Sequence, residues 1–223
     1  MSSTTAPLTA PAHPDRIERY TFVERLCHWF AGLSYLYCLC TGLALYTPYL
    51  FWMAIALGGG PTSRFWHPIV GVAFFVGVIW MHSLWSRDVA MSDRDRTWLR
   101  QTEDYAANRD ELLPPQDRFN AGQKAFYWVM FWGALALLAT GLVMWFPELV
   151  PYSLRTLRSV FVLLHEVAAL ITIGAFIIHV YMGIFMVPGS LTAIIHGYVS
   201  RDWARTHHRL WYERLTGRPA PRG

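Results

Sequence analysis

VLLHEVAALITIGAFIIHV, residues 162–180, is long and apolar, holds one acid, Glu166, and carries two histidines, His165 and His179. A bilayer core about 30 Å thick is crossed by roughly 20 residues of apolar helix. Helix is the default there, because lipid offers no partner to unpaired backbone groups. The fourteen positions between the histidines amount to about 21 Å along a helix axis but only about 40° around it. Both imidazoles therefore project to one side, near opposite membrane faces. Either one alone reads as an ordinary core histidine. Two of them in lipid, where ionisable groups are costly and tend to face a functional interior, read as ligands. Neutral imidazole is a good ligand for haem iron, and a helix bundle can clamp a porphyrin between facing helices.

Working outward, three more uncharged windows of spanning length occur, at 26–46, 65–86 and 125–147, while the last extends from Ser159 to about Val187. Residues are 54% hydrophobic and only 15% charged, well to the apolar side of soluble domains. No alternating strand pattern recurs as a barrel would require. The segment 49–57, YLFWMAIAL, is too short to span and runs into Gly58, Gly59, Gly60 and Pro61, which predicts an interfacial or re-entrant piece. The expected architecture is all-α, an integral membrane four-helix bundle.

The net charge of +4 does not indicate nucleic acid, because its distribution follows the spans. Sixteen of the nineteen basic residues precede helix 1, lie between helices 2 and 3 or follow helix 4; only Arg64, Arg155 and Arg158 fall on the other side. The positive-inside bias then puts both termini in the cytoplasm. The first 21 residues are polar and rich in Pro, Thr and Ala, without the apolar core of a cleavable leader, so the first span is expected to act as its own insertion signal. Cys27, Cys38 and Cys40 fit neither an iron–sulfur framework nor covalent haem attachment, which leaves packing thiols and non-covalent, b-type haem.

Each haem held by two histidines needs a second ligand at the same depth. Helices 2 and 4 run in the same direction, so His67, directly before Pro68 at a favourable first helical position, can meet His165 near the outer face. For His179, near the inner face, two partners are open: His28 at the start of helix 1 and His82 at the end of helix 2. Spacing does not choose between them.

RLCHW (25–29), RFWHPIVG (64–71), FNAGQK (119–124), LLHE (163–166), IIHVYMG (177–183) and GYVSRDWARTHHRLWYE (197–213) occur in an order and with gaps similar to those of a known family. Over roughly 17–215 the chain resembles the cytochrome b (gamma) subunit of respiratory formate dehydrogenase. The resemblance implies a dihaem cytochrome b with two haem b groups, the outer iron on His67 and His165 and the inner on His28 and His179, leaving His82 structural. It also implies quinone binding, menaquinone or ubiquinone, at Asn120, Gly122 and Gln123. The implied partners are an iron–sulfur subunit and a molybdenum or tungsten catalytic subunit that oxidises formate in the periplasm. Glu166 departs from the family pattern.

From the residues alone, FNAGQK reads equally as a turn and helix start. Arg25, Lys124, Arg155 and Arg158 sit at depths suited to haem propionates and equally to snorkelling. His196, His207 and His208 are expected on the cytoplasmic surface. The expected divisions are a polar segment 1–21, a membrane domain 22–188 with a cytoplasmic loop at about 87–120, and a basic tail 189–223. No internal repeat is evident beyond the shared histidine placement of helices 2 and 4. The same scaffold would also serve a nickel–iron hydrogenase or another molybdenum enzyme. A haem-free membrane anchor or transporter is the alternative of a different class.

Overall fold

The computed structural model describes residues 15–107, 109, 112–217 and 219; most of the polar N-terminal segment, together with Arg218 and Arg222, lies outside them. Four long helices form the body: α1 (Phe22–Tyr46), α3 (Gly60–Trp85), α6 (Ala121–Trp145) and α7 (Arg158–Tyr181), the last continued by a π-helical turn, Met182–Met186. All four are long and apolar enough to cross a membrane. Between α1 and α3, the short segment contains a 3-10 turn (Pro48–Leu50) and α2 (Trp52–Ala56), with Tyr49 and Trp52 exposed. The loop between α3 and α6 forms α4 (Asp93–Arg100) and α5 (Thr102–Ala106), and the tail forms α8 (Ser190–His196), α9 (Arg201–His207) and α10 (Arg209–Thr216).

Two of the long helices, α1 and α6, start where the sequence supplies a side-chain cap. Thr21 and Glu24 form a reciprocal capping box on α1, and Asn120 and Gln123 form one on α6, satisfying backbone donors that have no intrahelical partner. In α3 the sequence expectation is corrected: the helix begins at Gly60, after Gly59 at φ 93°, and Pro61 occupies its first turn, so Pro68 lies inside. Proline 68 carries no N–H, so the helix loses one backbone bond beside His67.

The helices pack in chain order, α1 on α3, α3 on α6 and α6 on α7, while α7 approaches α1 and α3 less closely. Small residues set the close contacts, as expected where lipid removes the hydrophobic drive between helices. A β-carbon on Gly77 would stand 3.1 Å from Ala31 Cβ, and one on Gly133 would stand 2.3 Å from Thr172 Cγ2. Tyr35, Phe74, Val78 and Ala134 form the central core. The outward faces carry exposed Leu33, Leu163, Leu170, Ile177 and Ile178, the composition a lipid-facing surface requires.

Strands β1 (Arg16–Glu18) and β2 (Tyr198–Ser200) pair antiparallel, with Ile17 opposite Val199. The chain before α1 and the chain after α7 therefore meet at one end of the bundle. The α3–α6 loop joins them there, through Arg19 to the Arg118 carbonyl (2.8 Å) and Leu210 N–H to the Gln116 carbonyl (3.0 Å).

Candidate functional site

The four histidines singled out in the sequence come together as two pairs. His67 of α3 faces His165 of α7 with ring centroids 6.4 Å apart, and His28 of α1 faces His179 of α7 at 6.2 Å. Nitrogen ligands stand about 2.0–2.1 Å from a metal, and an imidazole centroid lies about 1.2 Å beyond its nitrogen, so two imidazoles on opposite sides of one metal have centroids about 6.3 Å apart. Both pairs match that spacing. His179 is exposed although it lies in a membrane span, and such a side chain requires a partner.

The outer pair is oriented by threonines that sequence reasoning missed. Nδ1 of His67 lies 2.8 Å from Thr41 Oγ1, and Nδ1 of His165 lies 2.8 Å from Thr140 Oγ1. Each hydroxyl donates to the carbonyl one turn earlier, Thr41 to Tyr37 at 2.8 Å and Thr140 to Ala136 at 2.7 Å. With the hydroxyl proton committed, each oxygen accepts from Nδ1–H, and Nε2 is left with its lone pair for a metal. The glycines that follow let the rings approach: a β-carbon on Gly42 would meet His67 Cε1 at 3.2 Å, and one on Gly141 would meet His165 Cε1 at 3.4 Å.

Thr41-Gly42-Leu43 and Thr140-Gly141-Leu142 are a short repeat in the sequence. After each, the helix ends at Tyr46 or Trp145 and a proline-initiated 3-10 turn follows, Pro48–Leu50 or Pro147–Leu149. The helix pairs α1/α3 and α6/α7 are thus built alike around the outer histidines. This corrects the expectation that no internal repeat exists.

The inner pair has different surroundings. His179 stacks on Phe126 of α6, centroids 4.3 Å apart and planes within 5°, and His28 meets Trp29 edge-on. Nδ1 of His28 is buried with no hydrogen-bond partner among the described residues. His82, the other sequence candidate, is turned away: its Nδ1 lies 2.5 Å from the Tyr127 hydroxyl, and its ring packs on Phe131.

Asn120, Gly122 and Gln123 stand together at the start of α6. Asn120 Oδ1 accepts from the Gln123 N–H at 2.8 Å, and Gln123 Oε1 accepts from the Asn120 N–H at 3.0 Å. Both amide oxygens therefore serve the cap. Gly122 lies under Trp98, whose ring a β-carbon there would meet at 3.3 Å. Gln123 precedes Phe126 by one turn, which puts it on the side of α6 that meets His179.

Around this end lies a polar junction. Lys124 pairs with buried Asp95 at 2.9 Å and also donates to the Ala90 carbonyl at 3.0 Å, so its ammonium is committed there. Burial pushes the Asp95 carboxyl up, but hydrogen bonds from Lys124 and Ser92 outweigh it and hold the group below its ordinary value. Arg118 bridges Glu24 (2.6 Å) and Asp88 (2.8 Å). Buried Arg19 reaches His208 Nε2 at 3.0 Å, and His208 Nδ1–H donates to the Asp117 carbonyl at 2.6 Å. His208 is thus not a surface residue: it is 1% exposed. Burial first, and the Arg19 charge second, hold its imidazole far below the ordinary value and keep it neutral. No group of three or more metal-ligating side chains occurs among the described residues.

Comparison with known proteins agrees with this architecture. Residues 19–197 match the family model for prokaryotic cytochrome b561. The chain is 31% identical over 199 residues to the cytochrome b556(Fdn) subunit of the nitrate-inducible formate dehydrogenase of Escherichia coli K12, covering 89% of this chain and 91% of that one. It is 31% identical over 208 residues to the cytochrome b556(fdo) subunit of the same organism, covering 90% and 94%. A formate dehydrogenase cytochrome b556 subunit of Haemophilus influenzae is 28% identical over 198 residues, covering 88% and 82%. The chain therefore belongs to the prokaryotic cytochrome b561 family, a group of b-type haem proteins, as a multi-pass inner-membrane cytochrome b subunit of the formate dehydrogenase kind.

Proposed function

We propose that this chain conducts electrons across the inner membrane, from periplasmic formate oxidation to a quinone reduced on the cytoplasmic side. His67 and His165 would hold an outer haem b, and His28 and His179 an inner one. The observation that carries this is the pair of centroid separations, 6.4 and 6.2 Å, at two levels of one bundle. Bound between two imidazoles, each haem would supply a one-electron carrier with no open coordination position, suited to electron transfer and not to substrate chemistry at iron.

The cytoplasmic placement of both termini is supported by the basic-residue bias and by the meeting of β1, β2 and the α3–α6 loop at one end. On this reading residues 22–188 are the haem-holding membrane domain and 189–223 a cytoplasmic tail.

For quinone, menaquinone or ubiquinone, the side-chain NH2 groups of Asn120 and Gln123 are the available donors to a carbonyl oxygen. Their oxygens are held by the capping box, so the donors are fixed in direction. Gly122 and Trp98 shape the approach. Partners would be an iron–sulfur subunit and a molybdenum or tungsten catalytic subunit, by analogy with the relatives named above.

The test is the intact complex purified with and without His67→Ala and His28→Ala. Each variant is expected to retain one b haem of two and to lose formate-dependent quinone reduction. Retention of two haems in either variant, or co-purification with catalytic subunits unrelated to formate dehydrogenase, would overturn the assignment.

A further inference from the structure

The two histidine pairs are supported unequally. At the outer level both Nδ1 atoms are bound to threonine hydroxyls, each 2.8 Å away, and each hydroxyl is polarised by its own bond to a helix carbonyl. Thr41 is fully buried and Thr140 is 7% exposed, so water does not compete for these bonds. At the inner level the buried Nδ1 of His28 finds no acceptor among the described residues, and the ring of His179 is supported by the face of Phe126.

An acceptor on the far nitrogen fixes the tautomer and raises the basicity of the ligating one. A more basic imidazole favours the ferric over the ferrous state, and chained hydrogen bonds strengthen one another. We propose that Thr41 and Thr140 are positioning residues that hold the outer haem at a lower potential than the inner one, so that electrons run downhill from the outer leaflet to the inner. This rests on the two-haem reading above.

The threonines act through the histidines and touch no reacting atom. Their spacing to the ligands, 26 and 25 residues, repeats in the two halves, so each half contributes one oriented imidazole to the same iron. The inner pair has no counterpart of this device among the described residues.

The test is a redox titration of the intact purified complex carrying Thr41→Val or Thr140→Val, followed by the optical bands and by the electron paramagnetic resonance signals of the ferric haems. Valine keeps the shape and removes the hydroxyl acceptor; His165 also has the Leu137 carbonyl in reach, so Thr41→Val is expected to give the larger shift. Losing one such bond is expected to favour reduction of the outer haem about five- to tenfold; at about 59 mV per tenfold for one electron, its midpoint rises by about 40–60 mV. The inner midpoint stays in place, and Thr→Ser in either position restores the original value. If a valine variant binds no outer haem, the corresponding Thr→Ala variant carries the same prediction. Unmoved midpoints, or a shift confined to the inner haem, would overturn the inference while leaving the two-haem assignment intact. A parent complex lacking the second b haem would instead overturn the assignment itself.

Discussion

Substitution of Gly133 by alanine probes how closely α6 and α7 must approach for the histidine pairs to form. The added β-carbon would lie 2.3 Å from Thr172 Cγ2, whereas carbon atoms in contact prefer about 3.5–4.0 Å. The helices must part by about 1.2 Å, or Thr172 must leave its rotamer and the bond it donates to the Ala169 carbonyl at 2.9 Å. Over-packing of this size costs about 1–3 kcal/mol. The cost falls on the helix pair that carries Thr140, Phe126, His165 and His179, so loosening it also loosens both histidine pairs. The assay is thermal unfolding of the purified complex, followed by loss of the b-type absorption, with Gly133→Ala alone and combined with Thr172→Ser. Serine removes the offending methyl and keeps the hydroxyl, so the double variant is expected to recover most of the loss. A single variant as stable as the parent, or a double variant no better than the single, would refute the reasoning.

Asp95→Ala strands Lys124 in a buried site and is expected to destabilise the inner junction by about 3–5 kcal/mol, read as faster proteolysis of the α3–α6 loop; Asp95→Ala with Lys124→Met should be milder. His208 has a folded-state value below its unfolded one of about 6.5, so the unfolded state takes up more protons below that pH. The docking of the tail is accordingly expected to be constant above about pH 6.5 and to weaken as the pH falls below it, and His208→Gln should flatten that dependence in a pH series of tail cleavage. His82→Phe breaks the bond to Tyr127 and should cost about 1 kcal/mol while both haem bands persist; loss of the inner band would return His82 to the ligand set.

The spans were legible because length and apolarity alone define them, and His165 and His179 because one helix put them on a common side. The start of α3 was not, since Pro68 suits a first turn as well as an interior position, and only the positive φ of Gly59 and the placing of Pro61 distinguish the two. Spacing left His28 and His82 equal. They separate in three dimensions because His82 meets the Tyr127 hydroxyl of α6, a contact 45 residues away. Thr41 and Thr140 look like ordinary small residues of membrane helices; the repeated Thr-Gly-Leu was the available signal. Arg19 and His208 lie 189 residues apart, and nothing local announces a buried neutral histidine at the end of a basic tail.

The central claim is that one chain holds two b haems, each between two histidines. Quantifying haem per polypeptide in the purified intact complex, with reduced-minus-oxidised spectra, tests it most directly. Two b-type haems per chain are predicted, falling to one in His67→Ala and to one in His28→Ala. A colourless preparation, a single haem, or a full complement in the His28 variant would contradict it.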